Sequence, residues 1–151
     1  MQTFLPYPNF TVSAMHLDRA RLGKQRVEAL QISRSLHGIT NGWSNHPAVR
    51  MWRGFERALD LYRDVMIREW IRRGYQNNMV IVFEDLSDLS SVTMPTWLGD
   101  ERLHSSHRSR LLLKDPDWYN QWGWTEEPGA EYHWPEEVVH ETPGTTVLST
   151  D

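Results

Sequence analysis

One carboxylate, Glu28, lies within a run of basic residues in segment 17–32. Four basic residues precede it there: Arg19, Arg21, Lys24 and Arg26. On a helix, spacings of three and four residues place Arg21 and Lys24 on the same face as Glu28. Cations on that face can hold phosphates while the carboxylate acts between them. A phosphate-binding surface with only a structural role does not require the carboxylate.

The same spacing also fits a simple ion pair on a solvated helix face. Lys24 and Glu28 have opposite charges and lie four residues apart. Such pairs contribute about 0.2–0.5 kcal/mol to helix stability and often have no other role. Spacing alone therefore leaves a structural and a catalytic interpretation of Glu28 open.

Other chemistry has weaker support. His104 and His107 are three residues apart on one predicted helix face, a spacing that suits two metal ligands. The chain has no cysteine, no His-Glu-x-x-His sequence and no carboxylate at ligand spacing, so no metal site is predicted. A Gly-rich phosphate loop and a serine nucleophile elbow are also missing from the sequence.

The net charge of −4 hides an uneven distribution. Residues 125–151 contain seven acids and no Lys or Arg, so residues 1–124 carry all 16 basic residues and a net charge of +3. Fourteen of the basic residues are arginine, the better bidentate phosphate ligand, although a high-GC genome produces the same bias. The length and composition predict one domain, 1–124, with an acidic tail, 125–151, that is loosely attached or extended.

The elements that position these residues are predicted to be helical. Residues 1–10 contain two prolines and are expected to be extended, with a short helix over 11–16. The main helix is predicted from its cap Asp18 to His37, where Gly38 ends it. Its inward residues would be Leu22, Ala29, Ile32 and Leu36. Gly23 weakens this helix but permits close approach of another backbone or a nucleic acid.

A second long helix is predicted from a cap at Asn45 to Gly74. Its buried stripe consists of Trp52, Phe55, Leu59, Tyr62, Met66 and Trp70. Asp64 and Arg68 are expected to pair with each other. The apolar run 79–83 is compatible with a strand or a buried loop, and a third helix is predicted over 100–114 before an aromatic turn at 118–124.

The ordered set of motifs resembles the pyrimidine-dimer DNA glycosylases of the endonuclease V type, in a bacterial and phage branch. The resemblance covers residues 1–124. It rests on the segments 1–8 (MQTFLPYP), 21–29 (RLGKQRVEA), 71–75 (IRRGY), 86–89 (LSDL) and 117–123 (DWYNQWG).

The resemblance implies a compact, mostly α-helical enzyme that excises a damaged pyrimidine and then nicks DNA at the abasic sugar. Such enzymes use an N-terminal α-amine, which forms an imine with the sugar, and a carboxylate at the position of Glu28. No metal or organic cofactor is implied, and the partner is double-stranded DNA. The candidate DNA-binding residues are Arg21, Arg26, Arg50, Arg53, Arg57, His104, His107, Arg108, Arg110, Lys114, Trp118 and Tyr119. The protein is expected to be a cytoplasmic monomer without a membrane anchor.

One departure affects the nucleophile. Gln2 is large, so Met1 should be retained, whereas a well-known member of the family exposes a small residue after removal of Met. Three readings follow: the Met1 amine is the nucleophile, Lys24 forms the imine, or the lyase step is lost. An α-amine, with an ordinary pKa of about 7.8, is more often unprotonated at neutral pH than a lysine. Two other functions stay open: a non-catalytic DNA-binding module, and a protein-interaction domain whose acidic tail covers the basic face.

Overall fold

A computed structural model of the chain describes residues 1–40, 42–87 and 89–136. These residues form helices and no strand: α1 (Phe10–His16), α2 (Arg19–Leu36), α3 (Pro47–Arg50), α4 (Glu56–Arg72), α5 (Glu101–Lys114), α6 (Pro116–Tyr119) and a 3-10 turn (Asn120–Trp122). The predicted mostly α-helical domain with three main helices is confirmed. None of the helices in the described ranges is long and apolar enough to cross a bilayer. The predicted tail beyond residue 136 lies outside the described residues.

The main helix, α2, begins and ends where the sequence predicts. Asp18 is its N-cap and accepts the Arg21 N–H, and the C-cap His37 is followed by Gly38 with a φ of 74°. Leu22 and Ile32 on its inward face are fully buried. This face packs against α4, so the opposite face of α2 is left for other contacts.

The predicted second helix is wrong in its continuity. It is split into α3 and α4, because the chain turns at Gly54, which has a φ of 88° that other residues rarely adopt. The cap of α3 is His46, whose Nδ1 accepts the Ala48 N–H, and not Asn45. The aromatic stripe is nevertheless core: Trp52, Leu59, Tyr62 and Met66 are fully buried, and Phe55 and Trp70 are partly buried.

The helical Gly23 lies where α2 meets α4. A Cβ atom built on it would be 2.9 Å from Cζ3 of Trp70, closer than real Cβ contacts. The group that leaves no room for a side chain at position 23 is therefore the indole ring of Trp70. The expectation that another backbone or a nucleic acid approaches here is not what the structure shows.

The loop after α4 is attached by the two residues that were predicted to pair with each other. The Asp64 carboxylate accepts the N–H groups of Val82 and Phe83, at 3.0 and 2.5 Å, and Arg68 donates to the Phe83 carbonyl at 2.6 Å. The predicted Asp64–Arg68 pair is wrong, because both side chains bind backbone groups of the loop. The apolar run 79–83 is a loop whose last residue is buried.

The third main helix, α5, starts after its cap Asp100, as predicted. The described part of the predicted tail, 125–136, runs along α5. The Ala130 N–H donates to Ser109 Oγ at 2.8 Å, and the His133 N–H donates to Ser106 Oγ at 3.0 Å. Small serine side chains on α5 thus hold this segment beside the cleft described next.

Candidate active site

The extended N-terminal segment is held by polar side chains of the neighbouring helices. The Gln2 N–H donates to Glu28 Oε1 at 3.0 Å, and the Phe4 N–H donates to Gln25 Oε1 at 2.7 Å. The Tyr62 hydroxyl of α4 donates to the Phe4 carbonyl at 2.8 Å. Because an extended segment without a partner strand leaves its backbone groups unpaired, these side chains satisfy them and fix its position.

Two histidines of α5 complete this anchoring. The Leu5 N–H donates to His107 Nδ1 at 2.9 Å, and His104 Nδ1 lies 2.7 Å from the Leu5 carbonyl. His104 Nε2 accepts the Gly99 N–H at 3.0 Å, so its proton is on Nδ1 and donates to Leu5. Burial lowers the pKa of His104 and lowers that of His107 to about 3. Both rings are therefore neutral anchors of the backbone.

The prediction that His104 and His107 contact DNA is wrong. Both side chains have no exposed surface, and their ring nitrogens face the protein interior. Within the described ranges, no group of three His, Asp or Glu side chains is arranged to hold a metal ion. The three-residue spacing of His104 and His107 would suit two metal ligands. In this structure it instead allows both rings to bind the backbone of Leu5.

The N-terminus opens onto a cleft of about 360 Å³. Met1 and Glu28 line it together with four basic side chains: Arg21, Lys24, Arg110 and Lys114. Glu28 is only 9% exposed, whereas the Lys24 side chain is 70% exposed. Lys24 Nζ lies 3.4 Å from Glu28 Oε2, so the predicted i,i+4 pair exists. The second oxygen of Glu28 binds the Gln2 backbone, which a solvated surface pair would not do.

The basic side chains are close enough to influence one another. The pKa of Lys114 is lowered by burial and further by the charges of Arg21, Arg110 and Lys24, while Glu28 opposes this shift. A cleft with four cations and one nearly buried carboxylate can attract a polyanion. It contains a primary amine, a type of group that can act as a nucleophile, together with a carboxylate and cations that can bind phosphates.

Four other predicted arginines lie outside this cleft. Arg26 stacks on Trp70, with 4.3 Å from its guanidinium carbon to the ring centroid, and donates to Asn77 Oδ1 at 3.0 Å. These contacts hold Arg26 outside the cleft, and its contact with the flanking phosphates stays a prediction. Arg50 ends α3, Arg53 follows it and Arg57 lies in the first turn of α4. Their contact with DNA stays a prediction.

Arg108 and Tyr119 have internal roles, which corrects their assignment to the DNA surface. Arg108 donates to the Pro6 carbonyl at 2.7 Å and to Glu126 at 2.7 Å, and it also pairs with Glu101. These contacts tie the N-terminal segment to segment 125–136.

Tyr119 is fully buried, and its hydroxyl donates to the α2 cap Asp18 at 2.5 Å. Trp118 is partly buried and donates to the His16 carbonyl at 2.8 Å. Its contact with DNA stays a prediction.

Sequence reasoning missed three residues of this site. Gln25, three residues before Glu28, could have been found from the helix face that the two residues share. Tyr132 lines the cleft, and no local signal predicted this because it depends on the return of the chain along α5. His46 lies near the terminal amine and Glu28: burial and the amine charge lower its pKa, and Glu28 raises it.

A comparison with protein families matches residues 1–82, more than half of the chain, to the family described as pyrimidine dimer DNA glycosylase. No curated protein and no solved structure matches the chain. The matched part contains Met1, Lys24 and Glu28, whereas α5 and Tyr132 lie beyond it. The chain belongs to this family, which confirms the family that the sequence indicated; the resemblance beyond residue 82 stays a prediction.

Proposed function

We propose that this member of the pyrimidine dimer DNA glycosylase family excises a damaged pyrimidine and then cleaves the strand at the abasic sugar, with the Met1 α-amine as nucleophile. The observation that carries the proposal is the 3.0 Å hydrogen bond from the Gln2 N–H to Glu28 Oε1. It holds the terminal residue one peptide unit away from a nearly buried carboxylate, inside a cleft lined by four cations.

The reaction needs at least three proton transfers beside a cationic sugar: from the attacking nitrogen, to the ring oxygen O4′ and from C2′. The unprotonated amine attacks C1′, and the base leaves with the electron pair of the glycosidic bond. The nitrogen loses a proton, the ring oxygen O4′ gains one as the C1′–O4′ bond breaks and the ring opens, and an iminium forms at C1′. Removal of a C2′ proton then expels the 3′ phosphate and breaks the strand. Glu28 is the group in the cleft that can stabilise the positive charge and exchange these protons.

The rim of the cleft suits the phosphates that flank the damaged nucleotide. Arg21, Arg110 and Lys114 carry positive charge around the same opening as Lys24. Phosphate contacts fix the position of a duplex without reading its sequence. The cleft volume of about 360 Å³ lies in the range of sites that enclose a small ligand, and chemistry at a stacked base requires its extrusion. We infer that double-stranded DNA binds here, to a monomer in the cytoplasm and without a cofactor.

Lys24 is the second candidate nucleophile, because its Nζ lies 3.4 Å from Glu28 Oε2. An α-amine is the weaker base of the two groups in ordinary peptides, so a larger fraction of it is unprotonated at neutral pH. This difference favours the Met1 amine.

The decisive experiment uses a duplex with one abasic site and borohydride, which reduces an imine to a stable covalent adduct. The proposal predicts an adduct, together with excision from a duplex that contains one pyrimidine dimer. Excision without an adduct would indicate a monofunctional glycosylase. Binding without either reaction would indicate a non-catalytic DNA-binding module, and the lack of binding would indicate a protein-interaction domain.

A further inference from the structure

Tyr132 is an aromatic wall of the cleft that comes from outside the family match. It lines the same opening as Met1 and Glu28, although it follows Glu28 by more than 100 residues. Hydrogen bonds to α5 on both sides of it, at Ala130 and His133, fix the backbone that carries it. Tyr132 is half-buried, so part of the residue is exposed at the opening.

Three aromatic neighbours hold the Tyr132 ring in place. Phe4, His107 and Trp134 contact it edge to face, with centroid distances of 6.2, 5.6 and 5.8 Å. Phe4 belongs to the N-terminal segment and His107 anchors that segment. The position of the ring is thus fixed relative to the terminal amine.

The Tyr132 hydroxyl is a neutral donor among charged groups. The guanidinium carbon of Arg110 lies 5.1 Å from the ring centroid. Burial raises the pKa of the Tyr132 hydroxyl, and the hydrogen bond with Arg110 and the charge of Arg110 only partly offset this effect. The phenol therefore keeps its proton and can donate a hydrogen bond. The charged rim suits phosphates, whereas a neutral donor suits a carbonyl oxygen.

We propose that Tyr132 is a specificity-determining residue whose hydroxyl donates a hydrogen bond to a carbonyl oxygen of the damaged pyrimidine. The inference rests on the proposed function and adds a contact to the base itself. As the glycosidic bond breaks, the departing base gains negative charge on its carbonyl oxygens. A fixed donor there stabilises the transition state more than the ground state.

The test compares Tyr132→Phe on two substrates, because an abasic site has no base to contact. Tyr132→Phe removes only the hydroxyl, so the ring packing and the fold are retained. We expect excision of a pyrimidine dimer to fall by about tenfold, the effect of one hydrogen bond to a partly charged group. Borohydride trapping on the abasic duplex should stay within about twofold of wild type. Tyr75→Phe, which removes a hydroxyl outside the cleft, is the matched control for excision.

Two outcomes would overturn the role of Tyr132. Equal losses in excision and trapping would mean that Tyr132 acts through the N-terminal segment that it packs against, and unchanged excision would mean that it does not contact the base. If the wild type neither excises nor forms an adduct, the proposed function fails. In that case the test is the ratio of the affinities for a dimer-containing and an undamaged duplex. If this ratio is the same in wild type and in Tyr132→Phe, the proposed contact between Tyr132 and the base is overturned.

Discussion

At the scale of the residue, the environment of Glu28 separates it from an ordinary surface acid. Its two oxygens face different groups, the Gln2 amide at 3.0 Å and the Lys24 ammonium at 3.4 Å. The sequence predicted the lysine but not the amide, because the amide arrives through the folding of a distant segment. Helical spacing can identify neighbours on one face, but it does not show what packs against that face.

The charge of Glu28 can be removed while its hydrogen-bonding shape is kept. In Glu28→Gln, the side-chain oxygen can still accept the Gln2 N–H, so folding should be unaffected. Excision should fall by at least about 100-fold, the scale of acid–base contributions, while DNA affinity holds or rises. Excision kinetics and a binding titration check this, with Glu127→Gln, an exposed acid outside the cleft, as control. Near-normal excision would return Glu28 to a structural role.

The cleft cations give a second prediction at this scale. Lys114→Ala should weaken binding to every DNA sequence alike and reduce the slope of log affinity against log salt by about 0.9, because one counterion fewer is released. Binding titrations at several salt concentrations measure the slope. Arg34→Ala, an exposed cation on α2 that does not line the cleft, is the matched control. A slope that is unchanged in Lys114→Ala would place the DNA elsewhere.

At the scale of the element, the sequence predicted α2 from its cap Asp18 and its inward residues, and it also predicted the bounds of α5. The break between α3 and α4 was missed for a physical reason: the aromatic stripe keeps helical spacing across Gly54, and spacing does not reveal a positive φ. The two histidines of α5 were also misread. A polar residue that binds the backbone of another segment is indistinguishable, in sequence, from one on a solvated face.

The packing of α2 on α4 predicts that Gly23→Ala lowers the stability of the protein, the opposite of what helix propensity predicts. Alanine is the better helix former by about 1 kcal/mol, so Gly23→Ala would stabilise an isolated α2. In the protein, its Cβ would lie 2.9 Å from the Trp70 indole, and overpacking typically costs about 1–3 kcal/mol. Urea unfolding should therefore show a less stable Gly23→Ala variant. In a Trp70→Leu background the same change should be less costly, and an equal cost in both backgrounds would refute the clash.

At the scale of the whole molecule, the N-terminus is connected to most of the fold. Side chains of α2, α4 and α5 bind its backbone, and Arg108 links it to segment 125–136. These long-range contacts could not be predicted from the sequence, since each joins residues far apart in the chain. The catalytic geometry that we propose thus depends on the stability of the domain.

The buried histidines make that stability dependent on pH. Unfolded His107 binds a proton below about pH 6.5, but the folded residue does so only near pH 3. The unfolded state therefore holds more protons between these values, and stability is lost as the pH falls through this range, by up to about 1.4 kcal/mol per pH unit. His104 acts in the same direction, since burial lowers its pKa too.

His107→Asn keeps an acceptor for the Leu5 N–H and removes the titrating ring. In this variant, the free energy of unfolding in urea should decrease less between pH 7 and pH 5 than in wild type. The difference should correspond to the uptake of about one proton fewer per molecule on unfolding. The absolute stability of the variant does not enter this comparison of slopes. The same pH dependence in both proteins would show that His107 is not the titrating group.

The identity of the nucleophile is the central claim, and mapping the borohydride adduct tests it most directly. After reduction on an abasic duplex and proteolysis, mass spectrometry should find the sugar on the peptide that contains Met1. Lys24→Arg should keep the adduct, since only a primary amine is lost and the charge remains. One residue added before Met1 should abolish it without loss of folding. An adduct on Lys24, lost in Lys24→Arg and kept in the extended protein, would contradict the account.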